Sequence, residues 1–273
     1  MNGEFELDKI VSAIKESKKY RDTSEETIRQ LAVEAMQQHK KSKQASKAVR
    51  KRLHSIMAPY LGDPDYGATA AALTAAFAAG DEEQVKAVCW QALDSHLSTR
   101  ERLPIMETFY REIFHVTGIP EVLLDLACGL NPLALAWMNL PASVQYYAYD
   151  IHEPRIDFIN HYFRLQSLPA LARIQDVALQ FPQERADVAL FLKEMPRFER
   201  NYPGTGRDFL AALPVRHLVI SFPTVSTHGG RSLVKRYREF FRVLTDGRDW
   251  PVTELLFEGE LVYIAEKPFP GEK

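Results

Sequence analysis

Residues 122–132, Val-Leu-Leu-Asp-Leu-Ala-Cys-Gly-Leu-Asn-Pro, constrain the fold more than any other stretch of the chain. An apolar run with an acid near its end breaks into a small-residue turn. Asn131-Pro132 then opens a helix that Leu133-Ala-Leu-Ala-Trp137 continues. A strand, a tight turn and a helix in that order form the edge at which parallel sheets hold nucleotide-like ligands.

The pattern on either side differs. Residues 1–115 carry helical signals. Ile28, Leu31, Ala32, Ala35 and Met36 recur at helical spacing within 24–39, a break falls near Lys41-Ser42, and another helix runs to about Leu61. Gly62–Gly67 is a loop by its turn residues, followed by an alanine-rich helix over 68–79, one over 81–96 and one over 103–115. Thr23-x-x-Glu26 and Ser98-x-x-Glu101 have capping-box spacing. From Val122 onward, short apolar runs alternate with helical ones. Strands are expected at 122–126, 145–149, 172–175, 187–192, 217–221, 254–257 and 261–266. The last two are separated only by Glu258-Gly-Glu260, which makes them an antiparallel hairpin. The expected fold is therefore α/β: five parallel strands and a C-terminal hairpin, the order of a class I (Rossmann-like) methyltransferase sheet, over 119–273, preceded by a helical domain over 1–118.

Three candidate sites fall beyond the strand ends: the turn Ala127-Cys128-Gly129, Asp150 at the end of Tyr146-Tyr-Ala-Tyr-Asp, and Asp176 after the third strand. An acid about 20 residues past the glycine turn suits ribose hydroxyls, and a carboxylate on the next strand can accept from an adenine amino group. Each acid alone serves equally well as a turn residue or helix cap; the ordered trio is more specific. The turn lacks the second glycine of a dinucleotide fingerprint, which favours S-adenosylmethionine over NAD.

The net charge of −2 hides a polarity. Residues 1–60 hold 13 Lys/Arg against 8 Asp/Glu, and 39–54 contains no acid at all. On a helical wheel Lys43, Lys47, Arg50, Lys51 and His54 share one face, opposite Ala45, Val49, Leu53, Ile56 and Tyr60. Such a row suits phosphates, and is also found on plain solvated helices. No run is long enough for a membrane span, and the N-terminus lacks signal-peptide order. Two unlike-context cysteines, Cys89 and Cys128, argue against a disulfide framework or cysteine-rich zinc site and suit a cytoplasmic protein. Neither a membrane nor a metal is an expected partner.

The motif Asp-Leu-Ala-Cys-Gly-Leu-Asn-Pro-Leu-Ala at 125–134 resembles the aminoglycoside-resistance methyltransferases that modify N7 of guanine 1405 in 16S ribosomal RNA. The likeness extends to Ser17-Lys-Lys-Tyr-Arg21, Arg52-Leu-His-Ser-Ile56, His96-Leu-Ser-Thr-Arg-Glu-Arg-Leu-Pro104, Leu190–Pro196, Ser221-Phe-Pro-Thr224 and Glu260-Leu-Val-Tyr263. It implies a cofactor pocket of Tyr60, His96, Leu97, Ser98, Arg102, Ala127, Gly129, Asp150, Ile151, Asp176, Val177 and Leu192. Arg102, otherwise as easily a surface arginine, would pair with the methionine carboxylate. Lys193 and Glu260 are candidates for positioning the target base. Lys18, Lys19, Arg21, the cationic face at 43–54 and Arg231 would contact 16S rRNA within the 30S subunit. One departure falls after Thr224: Gly229-Gly-Arg231 is kept, but the family's Lys-Gly-Met step is absent. That loop leaves room for a different target base, such as a decoding-site adenine. A non-catalytic ribosome-binding protein is the alternative from another class.

Overall fold

The computed structural model describes residues 2–57, 62–226 and 230–270. Seven helices come first: α1 (Asn2–Lys15), α2 (Glu25–Gln38), α3 (Ser42–Met57), α4 (Tyr66–Ala79), α5 (Glu82–Ser95), α6 (Leu97–Arg100) and α7 (Met106–Thr117). There follow β1 (Val122–Leu126), α8 (Leu135–Met138), β2 (Gln145–Asp150), α9 (Glu153–Leu165), β3 (Ala172–Ile174), β4 (Ala186–Leu192), α10 (Met195–Asn201), α11 (Gly206–Ala212), β5 (Val215–Pro223), α12 (Val234–Thr245), β6 (Val252–Phe257) and β7 (Glu260–Glu266).

The strands form one seven-stranded sheet in the order β3-β2-β1-β4-β5-β7-β6. Pairings from β3 through β5 are parallel, while β7 runs antiparallel to both β5 and β6. The final hairpin thus inserts its second strand next to β5 and leaves β6 at the edge. The central strands are apolar on both faces because both are covered. Leu123, Val188, Leu190 and Val219 face α4, α5, α7 and α9, whereas their neighbours Leu124, Ala189, Phe191, Leu218 and Ile220 face α10, α11 and α12. Neighbouring residues on a strand point to opposite faces, so a continuous apolar run marks a strand buried twice over.

Three local expectations are corrected. Ser24, not Thr23, caps α2, its side chain accepting from the Thr27 N–H. Ser98 caps nothing: it lies inside α6, whose N-cap is His96. The segment after β1 is less helical than expected, a 3-10 turn over Asn131–Ala134 and then the single turn of α8.

The hydrophobic cores also divide away from residue 118. Leu73, Val85, Cys89, Leu93, Phe109, Tyr110 and Ile113, from α4, α5 and α7, share one core with the sheet. Among the described residues, α1, α2 and α3 form a cluster of their own, around Ile14, Ile28, Leu31, Val49 and Leu53. This small unit is stitched to the sheet. The Ser24 N–H donates to the Ile151 carbonyl at 2.7 Å, the Glu153 N–H donates to the Asp22 carbonyl at 2.9 Å, and Thr23 bridges His152. Lys15 pairs with Glu153 at 3.1 Å. Arg52 of α3 donates to the Asn201 carbonyl, pairs with Glu34 at 3.2 Å and lies 5.0 Å from the Tyr202 ring centre. Among the described residues, no helix is long and apolar enough to cross a membrane.

Candidate active site

Strand order reverses between β1 and β4, and in open α/β sheets a crevice forms outside the carboxyl ends at that point. The crevice is present here. An open cleft is lined by Ala127 after β1, Asp150 at the end of β2, Ile151 and Arg155 after it, Asp176, Val177 and Ala178 after β3, and Phe191 of β4. Ile56 and Met57 of α3 and Phe198, Asn201 and Tyr202 close it from above. The helical unit therefore supplies one wall. A second, narrower cavity meets the first at Ala127 and is lined by Ser98, Arg102, Asp125, Cys128, Asn131 and Leu192.

Two strand ends at this edge carry non-glycine residues in the left-handed region: Ala127 at φ 53° and Lys193 at φ 58°. Such backbone is costly and is retained where surrounding structure imposes it, commonly at functional sites.

Asp150 is buried at the cleft floor. Its carboxylate accepts from the Gly129 N–H at 3.1 Å, from the His152 N–H at 2.9 Å and from Arg155 Nη1 at 2.9 and 3.0 Å. Gly129, at φ 54°, turns its amide toward that acid. Asp176 accepts from the Ala178 N–H at 3.0 Å, and burial pushes its pKa up to about 6. An amino group in the cleft would add a donor to that carboxylate and favour its ionised form.

Behind the narrow cavity lies an ion-pair cluster. Arg102 is 1% exposed and grips Glu260, also 1% exposed. Nε donates to Oε2 at 3.1 Å and Nη2 to Oε1 at 2.7 Å. Arg102 Nη1 donates to Asn131 Oδ1 at 2.9 Å, and the guanidinium lies 4.6 Å from the Phe109 ring centre. Asn131 also donates to Asp125 at 2.9 Å, and Tyr146 OH donates to the same oxygen at 2.7 Å. Burial pushes Asp125 up to about 7. For Glu260, burial raises the pKa, but the charges of Arg102 and Lys193 more than offset it and hold it below the usual carboxylate value. Ser221 Oγ donates to Glu260 at 2.5 Å, and Lys193 Nζ reaches Glu260 at 3.3 Å and Glu101 at 2.8 Å.

Several expectations change accordingly. Arg102 is not a surface arginine; its bonds to Glu260 and Asn131 engage three of the five N–H groups a guanidinium carries. Lys193 and Glu260 are candidates for positioning the target base. Both are buried in this cluster, where the carboxylate lies between the Arg102 and Lys193 cations. His96 is fully buried, donating from Nε2 to Asp63 at 2.6 Å, and Leu97 is 42% exposed; neither lines the cleft or the narrow cavity. Tyr60 lies outside the described residues. Ala127, Asp150, Ile151, Asp176 and Val177 line the cleft, and Ser98, Arg102, Ala127 and Leu192 the narrow cavity, as one connected set. Residue-by-residue reading missed Asp63, Asn131, Arg155 and the α3 wall. Arg155 alone left a signal, lying five residues after Asp150 where the next helix begins.

On the outer surface, Lys43, Lys47, Lys51 and His54 are exposed along α3, and Lys18, Lys19 and Arg21 lie exposed beside them. Lys19 Nζ is 3.0 Å from His54 Nδ1. Arg50 departs from the row: it is half-buried, and its Nη2 donates to the Ala13 carbonyl of α1 at 2.7 Å. Arg231 is exposed beside the Val225–Ser232 bridge.

Sheet order, crevice and acids together define a class I methyltransferase. The ribosomal RNA methyltransferase (FmrO) family model matches residues 16–264, and the chain belongs to that family. It is 34% identical over 267 residues to a 16S rRNA (guanine(1405)-N(7))-methyltransferase of Frankia casuarinae, covering 96% of this chain and 94% of that one. A Serratia marcescens enzyme of the same name is 36% identical over 236 residues, covering 86% of this chain and 88% of the relative. Among solved structures, the 16S rRNA methyltransferase RmtF in complex with S-adenosyl-L-homocysteine superposes with a TM-score of 0.80 at 32% identity, covering 96% of this chain and 98% of that one. The 16S rRNA methylase RmtB gives 0.79 at 31% identity, with the same coverage of 96% and 98%.

Proposed function

We propose that this protein acts in the cytoplasm, where it transfers a methyl group from S-adenosylmethionine to N7 of guanine 1405 of 16S rRNA in the 30S subunit, and that it confers aminoglycoside resistance on its host. The observation that carries this reading is the shared wall. Ile56 and Met57 of α3 line the cleft, while Lys43, Lys47 and Lys51 stand exposed along the same helix. One helix thus places a phosphate-binding row beside the cofactor site.

The residues fit the cofactor end to end. Asp150 would take the ribose hydroxyls and Asp176 the adenine amino group, with Ile151, Val177 and Phe191 packing on the base. The remaining N–H groups of Arg102 would take the methionine carboxylate in the narrow cavity. When bound, S-adenosylmethionine supplies an electrophilic methyl group on a sulfonium. Guanine N7 carries an in-plane lone pair and no proton, so no general base is needed. Orientation then supplies the rate: the residues hold both reactants in line. The cluster of Glu101, Lys193, Glu260 and Arg102 keeps the cleft edge rigid rather than touching the base. A base inside a helix must be turned out to reach such a cleft.

The decisive experiment is incubation with 30S subunits and methyl-labelled cofactor, followed by mapping of the modified nucleotide. Label at N7 of guanine 1405 is expected. Label at a neighbouring adenine, in tRNA or nowhere refutes the reading.

A further inference from the structure

One buried chain of contacts reaches beyond the cleft lining. Arg155 is 2% exposed and sits in the first turn of α9. Its Nη1 holds both oxygens of Asp150, its Nη2 donates to Asp63 Oδ1 at 2.8 Å, and its Nε donates to Tyr66 OH at 3.3 Å. Asp63 lies between α3 and α4, far from the sheet in sequence. The same oxygen accepts from His96 Nε2 at 2.6 Å. Burial raises the pKa of Asp63, but the His96 hydrogen bond and the Arg155 charge hold it well below the usual range.

We infer that Asp63, acting through Arg155, is a positioning residue for the ribose-binding carboxylate Asp150. The inference rests on the reading that the cleft binds S-adenosylmethionine. A guanidinium at the positive N-terminal end of a helix is poorly placed for one counter-charge. Asp150 must also keep an edge open to the cleft, so it cannot wrap around the arginine. Asp63 supplies the second counter-charge from behind and fixes the arginine's fork. The Asp150 rotamer is then set before any ligand arrives, which lowers the ordering cost of binding.

The test crosses protein variants with a ligand variant. Calorimetry of the full chain compares S-adenosylhomocysteine with its 2′,3′-dideoxy analogue. Wild type should prefer the hydroxylated ligand by about tenfold or more, the scale of hydrogen bonds to a charged acceptor. Asp150→Asn should abolish that preference. Asp63→Asn and Arg155→Lys, shown folded by circular dichroism, should reduce it to less than about threefold, with the dideoxy ligand bound nearly as in wild type. If Asp63→Asn weakens both ligands equally and keeps the full preference, Asp63 is a structural residue and the inference fails. If wild type binds neither ligand, the cofactor reading itself falls. If wild type binds both without preference, only the ribose role of Asp150 falls, and the inference with it.

Discussion

Glu260→Gln tests the buried cluster most directly. Glu260 and Arg102 are each 1% exposed, and the pair is bidentate at 2.7 and 3.1 Å. Lys193 approaches the same carboxylate at 3.3 Å, and Ser221 donates to it at 2.5 Å. A glutamine keeps one acceptor oxygen but turns an amino group toward donors, and it leaves Arg102 without a counter-charge. Lys193 keeps Glu101 at 2.8 Å, so its loss is smaller. Breaking one partner of a buried pair costs about 3–5 kcal/mol. At roughly 2–4 °C per kcal/mol for a large domain, the melting temperature should fall by about 6–20 °C. Thermal and urea unfolding of the ligand-free protein measure this. Replacing both partners with apolar groups removes the stranded charge, so Arg102→Met with Glu260→Leu should regain at least half of the lost stability. The same double variant should bind S-adenosylhomocysteine at least about tenfold more weakly, because the proposed partner of the methionine carboxylate is gone. A Glu260→Gln loss under about 1 kcal/mol, or a double variant no more stable than the single, would refute the reasoning.

Three further outcomes follow from the same structure. Asp125 has a folded pKa of about 7 against an ordinary 3.8, so the folded state holds its proton over that interval and stability falls as pH rises through it, by at most about 1.4 kcal/mol per pH unit. Asp125→Asn should remove that fall in denaturation series at pH 5 and pH 7, and equal slopes in both proteins would contradict the assignment. Asp176, raised to about 6, accepts more strongly from an amino group when ionised; affinity for S-adenosylhomocysteine should drop from pH 7 to pH 5, by at most about tenfold, and Asp176→Asn should bind more weakly with no such drop. Lys47→Glu with Lys51→Glu should weaken 30S binding and reduce the magnitude of its log–log salt slope by roughly 1.5, leaving S-adenosylhomocysteine binding unchanged; an unaltered slope would remove α3 from the RNA interface.

The sheet was legible because its signals are local. Leu123-Leu124 and Val188–Phe191 are apolar at every position, as strands covered on both faces must be. Asp150 ends β2, and Asp176 follows β3 by two residues. What escaped depends on pairs far apart in the chain. Arg102 meets Glu260 across 158 positions, and Arg155 meets Asp63 across 92. Periodicity says nothing about such pairs, so Arg102 could as well have been a surface residue, and Glu260 looked like part of a turn. The division of the helical region escaped for the same reason. Helix α3 and helices α5 and α7 are amphipathic alike, and only packing shows that the last two belong to the sheet. Arg50 fell on the cationic face of a wheel, but its long side chain reaches sideways to Ala13.

The wall that α3 gives the cleft bears on selective inhibition. Strand ends, a ribose-binding acid and an arginine are what a competitor of the cofactor would meet in many class I methyltransferases. Ile56 and Met57 belong to the separate three-helix unit. A compound filling the cleft and pressing on those two side chains would draw part of its affinity from that unit, and would lose it on enzymes that lack one. Displacing that wall would also pull at Ser24 and Ile151, whose backbones are bonded to each other. Such a compound would press on the unit that we propose docks on RNA as well as fill the cleft.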